Sequence, residues 1–131
     1  MCIVVEKETQ VETPIRILFI SNGERSIMVN PRINIDVGES SSLTFIEHHV
    51  GDAASFFQNE SVFISLENNA QLNHIRIQSN SEFTQNMANI NVNQDGDSQY
   101  HFWQLVDGGK LERSNICVQL IGENAQCNIN S

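Results

Sequence analysis

Glu47-His48-His49 is the only dense cluster of metal-ligand side chains in this 131-residue chain. Successive side chains on a strand point to opposite faces, so Glu47 and His49 would share one face and His48 the other, and His74 would have to supply a further ligand. Two converging ligands fall short of what a bound metal needs, and the spacing reads first as a strand end with one inward and one outward histidine. Cys2, Cys117 and Cys127 form no C-x-x-C pair. A reactive thiol requires an electropositive, accessible setting, and a chain with 7 Lys and Arg against 16 Asp and Glu supplies little positive charge. Cys117 and Cys127 therefore read as small hydrophobes. Asp95-Gly96-Asp97 lacks the further spaced carboxylates of a calcium loop and reads as a turn. There is no Gly-rich phosphate loop, H-E-x-x-H or G-x-S-x-G. The residues thus name no catalytic, cofactor-binding or metal-ligating group, and the chain is not expected to be an enzyme.

The elements that would position such residues follow from composition. The length suits one domain, residues 1–131. Ile and Val together number 25 and Asn 16, against 5 Ala and 2 Pro, a balance that favours strands and turns over helices. A net charge of -9 with scattered basic residues argues against a nucleic-acid partner, which needs a basic stripe. No apolar run reaches the roughly 18 residues of a membrane span, and Glu6 interrupts the N-terminus too early for a signal peptide. The odd cysteine count suits a reducing compartment, and the cytoplasm is the expectation.

A repeat organises the chain. Ile35 to Phe45, Ile64 to His74, Ile90 to Tyr100 and Val118 to Ile129 share one shape: an apolar, polar, apolar start, a short polar turn, a small residue and an apolar return. Their leading residues lie 29, 26 and 28 positions apart. A period of that size with twofold alternation predicts one coil of a β-solenoid per repeat. Stacked coils would align Ile33, Val62, Ala88 and Ile116; Ile35, Ile64, Ile90 and Val118; and Val37, Leu66, Val92 and Leu120. Ser41, Ala70, Gly96 and Ala125 would form a small-residue column after the turn.

On the outside, with the alternation breaking at a corner near residues 44–46, Glu47 would face Arg76 as an exposed ion pair of little worth. Phe45, His74 and Tyr100 would stack as an aromatic ladder about 4.8 Å per coil. Asn68-Asn69, Asn93 and Asn124 suit left-handed or bridging turn geometry. The apolar runs at Phe56-Phe57, Phe83 to Met87 and Phe102 to Val106 would supply a third side to each coil, with Asp107-Gly108-Gly109 as a turn. Residues 1–13 show little register and would be poorly ordered. The chain closes on Ile129-Asn130-Ser131 without a polar cap, so pairing of its open edge with another chain is expected, as a homodimer or in self-association.

Several stretches carry a resemblance in order: Asn30 to Glu39; Leu43 to Gly51, containing Ile46-Glu47-His48-His49; Phe57-Gln58-Asn59; Asn69 to His74; Asp107 to Asn115; and Leu120 to Cys127. Over about residues 15–131 they resemble the SufB/SufD family of the SUF iron–sulfur cluster assembly system, most closely its SufD type. The resemblance implies an all-β chain folded as a right-handed parallel β-helix, here about four to five coils of a longer core. It also implies a non-catalytic scaffold role and association with SufB-like subunits and the SufC-like ATPase. The helical regions that flank the family's core have no counterpart here, and the family's functional histidine would lie beyond Ser131. The competing reading is a carbohydrate-binding or polysaccharide-degrading β-helix, which needs converging carboxylates or calcium on an outer face. The outward columns mix Asn, Ser, Asp and Gln instead. A passive adhesin module ranks lower, for want of an export signal.

Overall fold

The twofold alternation of each repeat is realised as strands. In the computed structural model, which describes residues 1–23, 25–51 and 55–131, there are strands and turns and no helix among the described residues. None is therefore long and apolar enough to cross a membrane. The strands are β1 (Cys2–Val5), β2 (Ile15–Ser21), β3 (Ile27–Val29), β4 (Arg32–Val37), β5 (Ser42–Gly51), β6 (Phe56–Leu66), β7 (Gln71–Asn80), β8 (Thr84–Gln94), β9 (Gln99–Gly108), β10 (Leu111–Leu120) and β11 (Gln126–Asn130). They pair in parallel as two sheets, one ordered β1-β4-β6-β8-β10 with β3 beside β6, the other β11-β9-β7-β5-β2. Apart from the extra β3, each pass of the chain adds one strand to each sheet, and the five passes wind through about four turns of a parallel β-solenoid. A third side does not form. Phe56-Phe57 opens β6, Phe83 immediately precedes β8 and Phe102 lies within β9, because alternation runs through these segments without a break.

The register is as expected between the first two repeats, where Ile35 pairs with Ile64 and Val37 with Leu66. The third repeat is displaced by two residues. Ile64 pairs with Val92 rather than Ile90, and Leu66 with Gln94. The inner columns are therefore Ile33, Val62, Ile90, Ile116 and Ile35, Ile64, Val92, Val118, followed by Val37, Leu66, Gln94, Leu120. A slip of two keeps every side chain on its face, so the mistaken columns also look apolar. Gln94 fills its place in the third column by bonding Ser98 Oγ and the Gln126 carbonyl. The small-residue column is Ser41, Ala70, Ser98 and Ala125, and Gly96 lies two residues before it. The aromatic ladder is corrected likewise: Phe45 and His74 are followed by Phe102, and Tyr100 continues the column of Leu43 and Leu72. Residues 2–5 also keep register, pairing Ile3 with Ile35 and burying Val5 over Val37.

One turn recurs on every coil. Glu8, Ser40, Asn69, Asp97 and Asn124 all adopt positive φ, between 55° and 59°. They occupy one register position, and the left-handed twist aims each available amide along the solenoid axis. Glu8 donates to the Glu39 carbonyl, Ser40 to Asn68, Asn69 to Gly96 and Asp97 to Glu123. The ladder of hydrogen bonds thus continues through the turns as well as the sheets. Left-handed backbone costs an ordinary residue about 1–2 kcal/mol and Asn or Asp less, which explains the Asn-rich turns at 69 and 124. Asn93 is not a turn residue but lies within β8. Asp95-Gly96-Asp97 is the turn its sequence suggests. The apolar core fills the half of the interior next to these turns, from Ile33, Ile35 and Val37 across to Leu43, Phe45, Leu72 and Tyr100.

Replacing Asn69 with alanine should lower stability by about 1 kcal/mol, because the left-handed backbone then lacks a residue that tolerates it. Asn69→Gly should lose less than Asn69→Ala, although both remove the Nδ2 bond to Ser40 Oγ. Urea unfolding midpoints of the two variants check the order.

A buried ionic cluster as candidate functional site

The other half of the interior is polar. β5 alternates without a break, placing Leu43, Phe45, Glu47 and His49 inward. β7 places Leu72, His74, Arg76 and Gln78 inward, and Glu47 stands opposite Arg76 in the expected register. Their face is the correction: both are completely buried, and the expected corner at residues 44–46 does not exist. Across the interior, β6 turns Gln58 and Glu60 inward, and β8 turns Thr84 and Asn86. One coil further, Gln104 follows Arg76, while Glu112 and Ser114 follow Asn86 and Ala88.

Arg76 Nη1 donates to Glu47 Oε2 at 2.6 Å and to Glu60 Oε2 at 2.5 Å, tying the two sheets together. His74 Nε2 lies 2.7 Å from Glu47 Oε1, and its Nδ1 lies 2.9 Å from the Tyr100 hydroxyl. His49 Nε2 is 3.4 Å from Glu47 Oε2 and 3.7 Å from Glu60 Oε2. Gln58 Nε2 donates to His49 Nδ1 at 3.2 Å. The Phe19 ring stacks on His49 at 4.5 Å, with 5° between the planes. The chain of polar contacts continues along the axis as Gln78 Nε2 donates to Glu112 Oε2 and Gln104 Nε2 to Gln78 Oε1, both at 3.0 Å.

Burial opposes the Glu47 carboxylate, but His74 beside it, hydrogen bonds from His49 and His74, and Arg76 outweigh that cost. They hold Glu47 well below the usual carboxylate range. Burial likewise opposes the Arg76 charge, and Glu47, Glu60 and Glu112 outweigh it, so Arg76 stays protonated. Tyr100 is pushed up by burial and then by Glu47, and keeps its proton. Glu112 is raised, chiefly by burial.

Among the described residues, Glu47, His49 and Glu60 are the ones whose donor atoms converge, all within 4.8 Å of one another. Sequence reasoning paired Glu47 with His49 but missed Glu60. The signal was present: Glu60 falls two residues before Val62 on an alternating strand, so it shares the inward face. His74 joins the cluster through Glu47. His48 points outward and contacts the Arg16 side chain. Cys2 and Cys117 are exposed, whereas Cys127 packs against the core and burial raises its thiol. A shallow groove on the outer face of β4, β6 and β8 offers one carboxylate, Asp36, among Asn34, Ser65, Asn91 and Asn93. Converging acids of the kind a polysaccharide-degrading site needs are absent from that groove. A separate cavity of about 200 Å³ opens beside the cluster, with Phe19, Val29, Pro31 and Phe56 in its apolar lining and Ser21, His49, Gln58 and Asn80 in its polar lining.

Residues 19–131 match the family model described as the SUF system FeS cluster assembly SufBD core domain. The chain is 30% identical to "Protein ABCI7, chloroplastic" of Arabidopsis thaliana over 93% of its own length and 27% of that protein. It is 28% identical to "Iron-sulfur cluster assembly protein SufD" of Escherichia coli strain K12, over 98% of this chain and 31% of the relative. A "SufBD family protein" of Synechocystis is 28% identical over 86% of the chain and 27% of its own length. The chain thus spans about a third or less of the relatives it matches. No solved structure matches it significantly.

Removing Arg76 leaves two buried carboxylates without their counter-charge, so Arg76→Met should cost about 3–5 kcal/mol at neutral pH. The loss should shrink on acidification as the Glu47 carboxylate, no longer held down by Arg76, takes up a proton. In the unaltered chain, the Glu47 contribution is complete above the ordinary carboxylate pKa of about 4.3, decays as pH falls below it, and is exhausted once the lower folded-state value is passed. Denaturant titrations of both proteins at pH 7 and pH 4 measure the two effects.

Proposed function

The chain belongs to the SufB/SufD core family of SUF iron–sulfur cluster assembly, and on that premise we propose that it is a non-catalytic scaffold segment acting through interfaces with SufB-like and SufC-like subunits. The observation that carries this reading is the match of residues 19–131 to the SufBD core domain, realised here as a stack of parallel coils. Trp103, Leu105, Leu120, Ile121 and Ile129 of β9, β10, β11 and the turn between them are exposed apolar side chains. Such positions on a sheet suit contact with a stacked coil or an added strand, in which backbone hydrogen bonds would give affinity and the alternating side chains register.

The ionic cluster supports the non-catalytic part of the reading. Glu47, Glu60 and Arg76 are buried and ion-paired with one another, so none of the three stands on an outer face of the solenoid. The relatives bear names from iron–sulfur cluster assembly, and the scaffold role extends that activity to this chain as a presenter of surfaces. The cytoplasmic location proposed with it rests on three unpaired cysteines, which suit a reducing compartment.

Size-exclusion chromatography with light scattering tests the proposal on the chain alone and mixed with a purified SufB-like subunit. The expected result is a mixed complex, with the chain alone self-associating at high concentration. Leu120→Lys together with Ile129→Lys should weaken both. A chain that stays monomeric alone and elutes separately from the SufB-like subunit would overturn the interface reading.

A further inference from the structure

Glu47, His49 and Glu60 belong to one coil, on strands facing each other across the interior. His49 Nε2 lies 3.4 Å and 3.7 Å from the nearest oxygens of Glu47 and Glu60. Ligands bound at about 2.0–2.2 Å to one ion sit at such mutual separations, so the three donors could close on a cation by small side-chain rotations. Both carboxylates and the imidazole stand on paired strands, which hold donor positions more firmly than loops do.

The support behind the donors is that of a ligand set rather than of an acidic patch. Glu47 is oriented through its second oxygen by His74, which is in turn fixed by the Tyr100 hydroxyl. The His49 ring is held by the stacked Phe19 and by the Gln58 amide at Nδ1, with Nε2 turned toward the carboxylates. Gln58 donates to Nδ1 in this arrangement, so ligation through Nε2 entails turning that amide over until its Oε1 accepts from Nδ1–H. Partners at the remote nitrogen of a histidine are what fix its tautomer and aim in metal sites.

Two independent observations point to a ligand. Glu60 is completely buried, yet its Oε1 has no hydrogen-bond partner, a costly omission for a carboxylate oxygen in a protein interior. The open cavity of about 200 Å³ has His49 and Gln58 among its polar lining, with Ser21 and Asn80, which gives a small ion a way to the donors. Within the cluster, two carboxylates face the single guanidinium of Arg76, which comes from the next coil along the axis.

We propose that Glu47, His49 and Glu60 form an interior binding site for a divalent transition-metal ion, reached through the cavity between Phe19 and Phe56, with Arg76 as the resident counter-ion that the metal displaces or shares with. One imidazole and two carboxylates form a nitrogen–oxygen set suited to ions such as Fe²⁺, Co²⁺ or Zn²⁺ and poorly suited to Cu⁺. The site goes beyond the scaffold reading and does not rest on it. Partner binding can fail while the metal binds, and the reverse.

Titration of the full chain with Co²⁺, followed by visible absorption and by thermal unfolding, tests the site. The expected result is one equivalent bound, with ligand-field bands and a raised Tm. His49→Gln and Glu60→Gln should each abolish the bands. Gln58→Leu should weaken binding by about 10- to 100-fold, as loss of an orienting partner does at metal sites. His48→Gln, altered on the outer face, should bind as the parent does. Arg76→Gln should bind more tightly and regain Tm when Co²⁺ is added, because the competing cation is gone. Absence of bands and of any Tm shift in the parent chain would overturn the proposal even if no variant folds. So would bands that survive His49→Gln or vanish in His48→Gln, which would assign the ion to the surface.

Discussion

Everything in this molecule depends on parallel, in-register stacking of successive coils. A strand in a β-solenoid finds its backbone partners only in the coils on either side, so each inward position becomes a column that all coils must fill compatibly. The recurring left-handed residue extends the constraint through the turns, where amides of Glu8, Ser40, Asn69 and Asp97 each find a carbonyl on the following coil. Close approach follows at the same corner: a methyl group at Gly122 would lie 2.0 Å from the Gly96 amide nitrogen. The coil spacing there is set by backbone touching backbone.

Stacking also divides the interior. Columns next to the left-handed turns hold Ile, Val, Leu and aromatic residues, and gain stability by removing apolar surface from water. Columns toward the opposite bend hold Glu47, Arg76 and Gln104 on one sheet and Gln58, Asn86 and Glu112 on the other. Membership in an iron–sulfur assembly family gives that division a context. The apolar half supplies rigidity, whereas the polar half is costly to bury and contributes little that hydrocarbon could not.

Much of this was legible in the sequence and part of it was not, for definite physical reasons. The coil period, the strands and the pairing of Glu47 with Arg76 followed from twofold alternation. The burial of that pair did not, because charged residues are expected outside and the alternation reads as breaking at a corner near residues 44–46. Alternation carried on from Leu43 and Phe45 would have placed Glu47 and His49 inside. The third repeat was misaligned for the opposite reason. Apolar columns tolerate a shift of two residues, so Ile90 served as well as Val92 and nothing in hydrophobicity distinguished them. Glu60 escaped notice because it lies far from the Glu47 cluster in sequence and meets it only across the coil.

The same comparison explains what the buried charges add. If β5 and β7 slipped by two residues, Ile77 would still meet an apolar neighbour, Ile46 or Val50, but Arg76 would stack over Phe45 or His49. Glu47 would instead face His74 or Gln78, and Arg76 would lose its place beside Glu47. An uncompensated charge in the interior costs several kcal/mol, more than an apolar mismatch of one methylene or two. Under the misaligned register of the third repeat, Arg76 would have stacked over Phe102; in the structure it stacks over Gln104. A net-neutral contribution to stability is thus compatible with a large contribution to uniqueness. Hydrophobic columns make the solenoid stable in any even register, and the Glu47–Arg76–Glu60 bridge leaves only one of those registers affordable.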